Sequence, residues 1–313
     1  MNKFITSAES LITRHAEIRA GFLKIALEKN RAGDPFVKNA LAFKAMVAHT
    51  KTPEDFLSIE KIRPFLVTAA GLSDKACAYL NEEDRNLAVK ELIEKFLKPA
   101  GSNYIDEAVF RYLLIKGDTV GGIMRNRIGK LGQERFIRMI FSVMNVRAMA
   151  CDKLSLSSKI WEPTDTFAAD AEKNLRALHW LNSCGERILI FNAKIPAVNK
   201  NVDLCLFESS VDDFAQIVRR NDKAIMFGEL KGGIAPAGAD EHWKTGNTAL
   251  DRIRTKFGAV GFPKIKTSFI AAAIERAMAE EIFSQLESGT LTNAANLTKD
   301  NQLAEFCNWL LDL

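Results

Sequence analysis

Apolar positions along the chain change their period once. Up to about residue 150 they recur every three or four residues, as in Leu11, Ile12, Ile18, Phe22, Ile25 and Leu27 of SAESLITRHAEIRAGFLKIALEKN (7–30). That spacing lines one face of an α-helix. A break is expected at AGDP (32–35), where a glycine, an acid and a proline follow one another. TPEDFLSIEKIRPFL (52–66) starts with Thr52, Pro53 and two acids. Threonine caps a helix, proline fits its first position, and acids favour the positive end of its dipole. NEEDRNLAVKELIEKFLKPAG (81–101) stops at Lys98-Pro99-Ala100-Gly101, and SNYIDEAVFRYLLIKGD (102–118) closes at Gly117.

Beyond residue 160 short apolar runs alternate with helical patterns. DTFAADAEKNLRALHWLN (165–182) reads as a helix, RILIFN (187–192) and NVDLCLFE (201–208) as strands, DDFAQIVRRN (212–221) as a helix, and AIMFGEL (224–230) as a third strand. ADEHWKTGNTALDRIRTKF (239–257) is a predicted helix, KTSFIAAAI (266–274) a strand, and ERAMAEEIFSQLESG (275–289) a helix. DNQLAEFCNWLLDL (300–313) makes a closing helix. Strands alternating with helices imply an α/β (α+β) fold, a mixed sheet flanked by helices. The predicted division is a mainly helical part over 1–155 and an α/β part over 156–313.

The stretch from Lys116 to Ile140 carries five glycines and six basic residues. It lacks the GxxxxGK[ST] order of a nucleotide-binding loop and the GxGxxG of a dinucleotide fold. Two readings stay open: a mobile connector before a solvated basic helix, or a contact with nucleic acid. In the second, Arg125, Arg127 and Lys130 are the candidate DNA-binding residues.

Composition narrows the class. Hydrophobic residues make 47% and charged residues 26%, as in an ordinary globular chain, and a net charge of +4 is too small to argue for nucleic acid alone. The five cysteines form no CxxC pair, which fits unpaired thiols in a reducing compartment. No window resembles a signal peptide or a membrane span, so the protein is expected to be soluble and cytoplasmic.

The chemistry concentrates at FGELKGGIAPAGADEHWKT (227–245). In a strand, residues two apart share a face, so Glu229 and Lys231 project together. Asp203 lies on the preceding strand, 26 residues earlier, far enough for a crossing helix and a return strand. Two carboxylates and a lysine near one point suit Mg²⁺-dependent phosphodiester cleavage. Hard oxygens hold the ion, and the ammonium opposes charge on the phosphate. Taken alone, a D…ExK pattern also arises from surface ion pairs. Gly232 and Gly233 let the chain leave the strand sharply and approach a ligand. Asp240 is a possible cap for the next helix, with His242 and Lys244 in its first turns, where a neutral histidine can accept a proton. The alternative for His242 is a structural histidine beside Trp243. His15, His49 and His179 have no partner motif and are read as structural.

These same residues, VDLCLF, ELKGG and GADEHW, resemble the active-site segment of the AvaI/BsoBI family of type II restriction endonucleases, within the PD-(D/E)xK nuclease group. The resemblance is sharp over about fifty residues. It implies that Asp203 and Glu229 are the metal-binding acids, Lys231 the catalytic lysine and His242 an active-site histidine. It also implies a helical part that embraces and recognises DNA ahead of a catalytic α/β part. Two departures stand out. Val202 replaces the proline of the motif's name. Ala235 occupies the position where the family carries an acid that reads a base of its CYCGRG-type site, so a different palindrome is open to this chain.

The resulting expectation is a Mg²⁺-dependent (one or two ions per active site), site-specific deoxyribonuclease. It would act on double-stranded DNA as a homodimer, alongside a cognate DNA methyltransferase in its host. Two rival readings stay open: a structure-selective repair or recombination nuclease, and a non-catalytic DNA-binding protein in which Asp203, Glu229 and Lys231 are dispensable.

Overall fold

The computed structural model describes residues 2–313. Among the described residues six α-helices precede the first strand: α1 (Ala8–Leu11), α2 (His15–Val47), α3 (Arg63–Ala69), α4 (Asp74–Cys77), α5 (Glu82–Leu92) and α6 (Tyr104–Val146). Two expected interruptions are absent. α2 continues through Pro35 without a break in its residue range, because its second half buries Ala40, Phe43 and Val47. Burying a Phe or Val side chain contributes about 1.5–3 kcal/mol, enough to offset the ~3 kcal/mol cost of an interior proline. The glycine-rich stretch 116–140 is neither a loop nor a connector but the middle of α6. Val120, Met124, Phe136, Ile137, Ile140, Phe141 and Met144 are buried along it at helical spacing, and that period outweighs the weak helix propensity of glycine.

Two compact units form, Met1–Phe22 with Ile128–Leu313, and Leu23–Arg127. The second is all helical, with a core containing Phe43, Phe56, Leu66, Leu92 and Tyr112. Phe43 stacks on Phe65 with ring centroids 5.1 Å apart. The start signal at Thr52 opens a 3-10 turn, Pro53–Ser58, rather than a long helix. Thr52 N donates to Asp55 Oδ2 at 3.0 Å.

The first unit holds one eight-stranded sheet in the order β2-β1-β3-β4-β5-β6-β7-β8. Its strands are β1 (Cys151–Ser155), β2 (Glu162–Pro163), β3 (Leu175–Asn182), β4 (Gly185–Ile195), β5 (Lys200–Glu208), β6 (Ala224–Lys231), β7 (Lys266–Ala271) and β8 (Asn293–Asn296). Pairing is antiparallel from β2 to β6 and parallel from β6 to β8. Helices α7 (Ala239–Ala259), α8 (Arg276–Glu287) and α9 (Asp300–Asp312) complete it. This is the mixed α/β fold expected from the pattern.

Two segments read as helices are not. Residues 175–182 form β3, where Leu175, Ala177, Leu178 and Trp180 are buried against neighbouring strands. Pairing with β1 and β4 satisfies its backbone and overrides a helical composition. Between β5 and β6 there are only turns and two short 3-10 segments, Ile217–Arg219 and Asn221–Lys223. Antiparallel neighbours need no crossover helix, and so none is built.

The sheet core includes Ile188, Ile190, Cys205, Phe207, Phe227 and Phe269, with Trp243, Leu250, Ile253 and Phe257 of α7. All five cysteines are free thiols, as expected. Burial pushes Cys205 and Cys307 well above the usual thiol range, so both stay inert and protonated. No helix among the described residues is long and apolar enough to cross a membrane.

Candidate active site

β5 and β6 bring the predicted acids together. Their ladder runs through Cys205 opposite Phe227 and Leu204 opposite Gly228. One residue further along β5, a side chain replaces the ladder. Asp203 Oδ2 accepts the Leu230 amide at 2.9 Å and lies 3.3 Å from Lys231 Nζ. Lys231 Nζ in turn donates to Glu229 Oε2 at 2.5 Å. Sequence spacing placed Glu229 and Lys231 on one face, and the structure joins Asp203 to them. The Leu230 amide, which shares the Asp203 carboxylate with Lys231, carried no sequence signal.

Electrostatics set Glu229 and Lys231 apart. Glu229 is 5% exposed. Burial, then the neighbouring Asp203, pushes its carboxyl up to about 7, against a smaller opposing pull from Lys231. Burial alone would lower Lys231, but the two carboxylates outweigh it and hold the ammonium above its usual range. Lys231 is therefore charged at neutral pH and compensates the acids around it.

The end of β6 is fixed from three sides. β7 pairs with it in parallel as far as Lys231 opposite Ala271, and Ala272 N donates to Lys231 O at 2.9 Å. α7 lies over it, with Trp243 edge-on to Phe269 (ring centroids 4.9 Å) and Trp243 Nε1 donating to Glu281 Oε2 at 2.5 Å. A methyl group at Gly246 of α7 would stand 2.8 Å from Phe269 Cε2 and 3.8 Å from Glu229 Cβ, so only glycine admits the helix this close. α6 lies on the third side. A methyl group at Gly232 would meet Ile128 O of that helix at 2.6 Å. The glycine after the lysine is thus required by a neighbouring backbone, where sequence reading had offered approach to a ligand.

The remaining candidates are distributed as follows. His242 is exposed in the first turn of α7 and has no hydrogen-bond or ion-pair partner among the described residues. A methyl group at Gly233 or Gly238 would lie 3.6 or 3.7 Å from its Nε2, so the ring sits over the loop that follows Lys231. Asp240 is not the cap; α7 starts after Gly238, and Asp240 pairs with Lys244 at 2.6 Å on the exposed side. Lys130 donates to Asn174 Oδ1 at 2.9 Å. Arg125 and Arg127 belong to the helical unit, where Arg125 is exposed and Arg127 pairs with Glu28 at 3.3 Å. Ala235 is exposed in the loop between β6 and α7.

A buried or half-buried Asp–Glu–Lys triad on two adjacent strand ends, with an unpartnered histidine over the next loop, is equipped for charge stabilisation and proton transfer at a phosphate. Comparison with known proteins identifies the family. The family described as "Restriction endonuclease BsobI" matches residues 1–313. The type II restriction enzyme AvaI of Nostoc sp. is 46% identical over 310 residues, covering 99% of this chain and 98% of that protein. The type II restriction enzyme BsoBI of Geobacillus stearothermophilus is 43% identical over 316 residues, covering 99% and 97%. The chain therefore belongs to the BsoBI family of type II restriction endonucleases, and its activity is site-specific hydrolysis of DNA.

Proposed function

We propose that the enzyme requires Mg²⁺ and acts as a homodimer, cutting one phosphodiester bond in each strand of duplex DNA at a short palindromic site. The observation carrying this reading is the convergence of two carboxylates on one ammonium: Asp203 Oδ2 and Glu229 Oε2 both lie within 3.3 Å of Lys231 Nζ. Paired active sites related by a two-fold axis suit a palindrome.

The donor chemistry fits Mg²⁺. Asp203 and Glu229 offer hard carboxylate oxygens on neighbouring strands. No group of three or more His, Cys, Asp or Glu able to hold a metal occurs among the described residues. Water and a substrate phosphate would complete the coordination, in keeping with the ion's preference for few protein ligands. When bound, the ion supplies charge stabilisation at the phosphate and acidifies water. Lys231, charged and aimed at the same point, opposes the negative charge that grows on the phosphate oxygens. His242, without another partner among the described residues, accepts a proton from the attacking water.

Arg125, exposed and without an ion pair among the described residues, together with Lys130, Arg127 and Lys244, which reach Asn174, Glu28 and Asp240, are the proposed DNA contacts. The helical part, residues 1–155, embraces and recognises the duplex, while 156–313 cuts it. With Ala235 in place of an acid, a palindrome other than CYCGRG is open to the enzyme in this reading. The enzyme works in the cytoplasm beside a methyltransferase that protects host DNA.

The test is incubation of the purified protein with plasmid of known sequence, in Mg²⁺ and in EDTA. Discrete fragments in Mg²⁺ alone, with ends mapping to one palindrome, are the expected result. Intact DNA in Mg²⁺ and Mn²⁺, with protein still bound to it, overturns the assignment of Asp203, Glu229 and Lys231.

A further inference from the structure

One turn of α6 touches the active-site strands on both flanks. On the Lys231 side, a methyl group at Gly132 would lie 2.5 Å from Gly232 Cα, 3.3 Å from Gly232 N and 3.4 Å from Leu230 Cδ2. The contact is mutual, since a methyl group at Gly232 would meet Gly132 Cα at 3.1 Å. On the Asp203 side, Gln133 Oε1 accepts from Asn192 Nδ2 at 2.8 Å. Asn192 stands in β4 between Phe191, which pairs with Leu204, and Ala193, which pairs with Val202, so it borders Asp203. Its φ of 54° places it in the left-handed region that asparagine tolerates better than most residues. The helix thus rests on the segment after Lys231 and on the strand beside Asp203 with adjacent residues.

We infer that Gly132 is a positioning residue for cleavage: its bare Cα sets where Gly232, and with it Lys231, comes to rest relative to Asp203. The inference rests on the catalytic reading of Lys231. Non-bonded carbons settle at about 3.5–4.0 Å, so a side chain at 132 forces backbone apart by about 1 Å. No flexible side-chain end is available to yield, because the obstructing atom is the Gly232 backbone. A catalytic group displaced by about 1 Å loses on the order of a hundredfold in rate. Gly129, on the same helix, has open space around its Cα and supplies a matched control.

The experiment compares Gly132→Ala, Gly232→Ala, Gly129→Ala and Lys231→Ala with the unaltered enzyme on a plasmid that it linearises. Single-turnover cleavage in Mg²⁺ is measured with DNA affinity in Ca²⁺ and thermal midpoint. Gly132→Ala and Gly232→Ala are each expected to lose on the order of a hundredfold in cleavage rate while DNA affinity stays within about threefold. Gly129→Ala should cleave like the unaltered enzyme. If Gly132→Ala cleaves within about threefold of the unaltered enzyme while Lys231→Ala is inactive, the positioning role is wrong and the site reading stands. If Lys231→Ala cleaves normally, the site reading fails and the inference with it. A rate loss in both glycine variants that disappears on cooling, in step with a lowered thermal midpoint, also overturns it, since a displaced lysine does not return on cooling.

Discussion

Lys231 Nζ stands 2.5 Å from the Oε2 of Glu229, a carboxylate only 5% exposed. Among the described residues, the lysine is the only cation paired with the two acids of the site. Lys231→Met keeps the stem and removes the charge. Single-turnover cleavage is expected to fall by roughly 10²–10³-fold, the usual loss for a preorganised electrostatic group. DNA affinity in Ca²⁺, which draws on many contacts, should fall much less. A comparable drop in both would assign Lys231 to binding.

Glu229 makes metal-free stability depend on pH in an unusual direction. Its carboxyl lies at about 7 in the fold against an ordinary value of 4.5. Between these values the folded state binds more protons than the unfolded chain, so this group's contribution to stability declines as pH rises from about 4.5 to about 7. The total is on the order of 3 kcal/mol. In EDTA, Glu229→Gln should therefore gain stability over the unaltered enzyme as pH rises from 5 to 8. Urea midpoints that differ by a constant amount over that range would refute it.

Divalent metal should reverse that penalty. Adding Mg²⁺ to the EDTA-treated enzyme is expected to raise its thermal midpoint, by the equivalent of about 2.7 kcal/mol at a hundred times the dissociation constant. Asp203→Asn keeps an acceptor for the Leu230 amide but lacks the charge, and its midpoint should barely respond. An equal response from Asp203→Asn would place the ion elsewhere.

Gly246 offers a test of packing. Alanine there puts a methyl group 2.8 Å from the ring of fully buried Phe269. Overpacking of this kind typically costs about 1–3 kcal/mol, and α7 must lift away from β7. Since α7 carries His242, cleavage should weaken beyond what the stability loss alone produces. Denaturant melts and rates at matched folded fraction separate the two effects.

Asn296 is the keystone of a buried polar group tying the N-terminal segment to the sheet. Its Nδ2 donates to Leu11 O and Thr13 Oγ1, both at 2.8 Å, and its Oδ1 accepts from Thr298. Asn296→Ala leaves a buried carbonyl without its donor, at about 1–3 kcal/mol for each group abandoned. A chemical melt within about 0.5 kcal/mol of the unaltered protein would contradict this accounting.

Much of this was legible in the sequence, for reasons that differ by element. Strand alternation fixed Glu229 and Lys231 on one side, and Asp203 followed from the neighbouring apolar run. Helices α7, α8 and α9 announce themselves by apolar period. β3 did not, because Leu175–Asn182 is built from residues equally suited to a helix and becomes a strand only through partners on both sides. The glycines of α6 misled for a related reason. Gly132 is needed for a contact with Gly232, a hundred residues away in sequence, and local pattern carries no trace of such pairs. The Leu230 amide was equally invisible, since a backbone group has no letter.

The two rims of the sheet also constrain assembly. At one rim stands β2, two exposed residues, Glu162 and Pro163, carrying a charge and a position without an N–H. At the other, β8 has four residues, all buried. Neither rim offers a long open row of backbone donors and acceptors on which a foreign strand could template itself. The homodimer proposed above would therefore be joined through helical or loop surfaces. Intermolecular sheet growth, the common route from a crowded α/β protein to insoluble fibre, is closed at both ends.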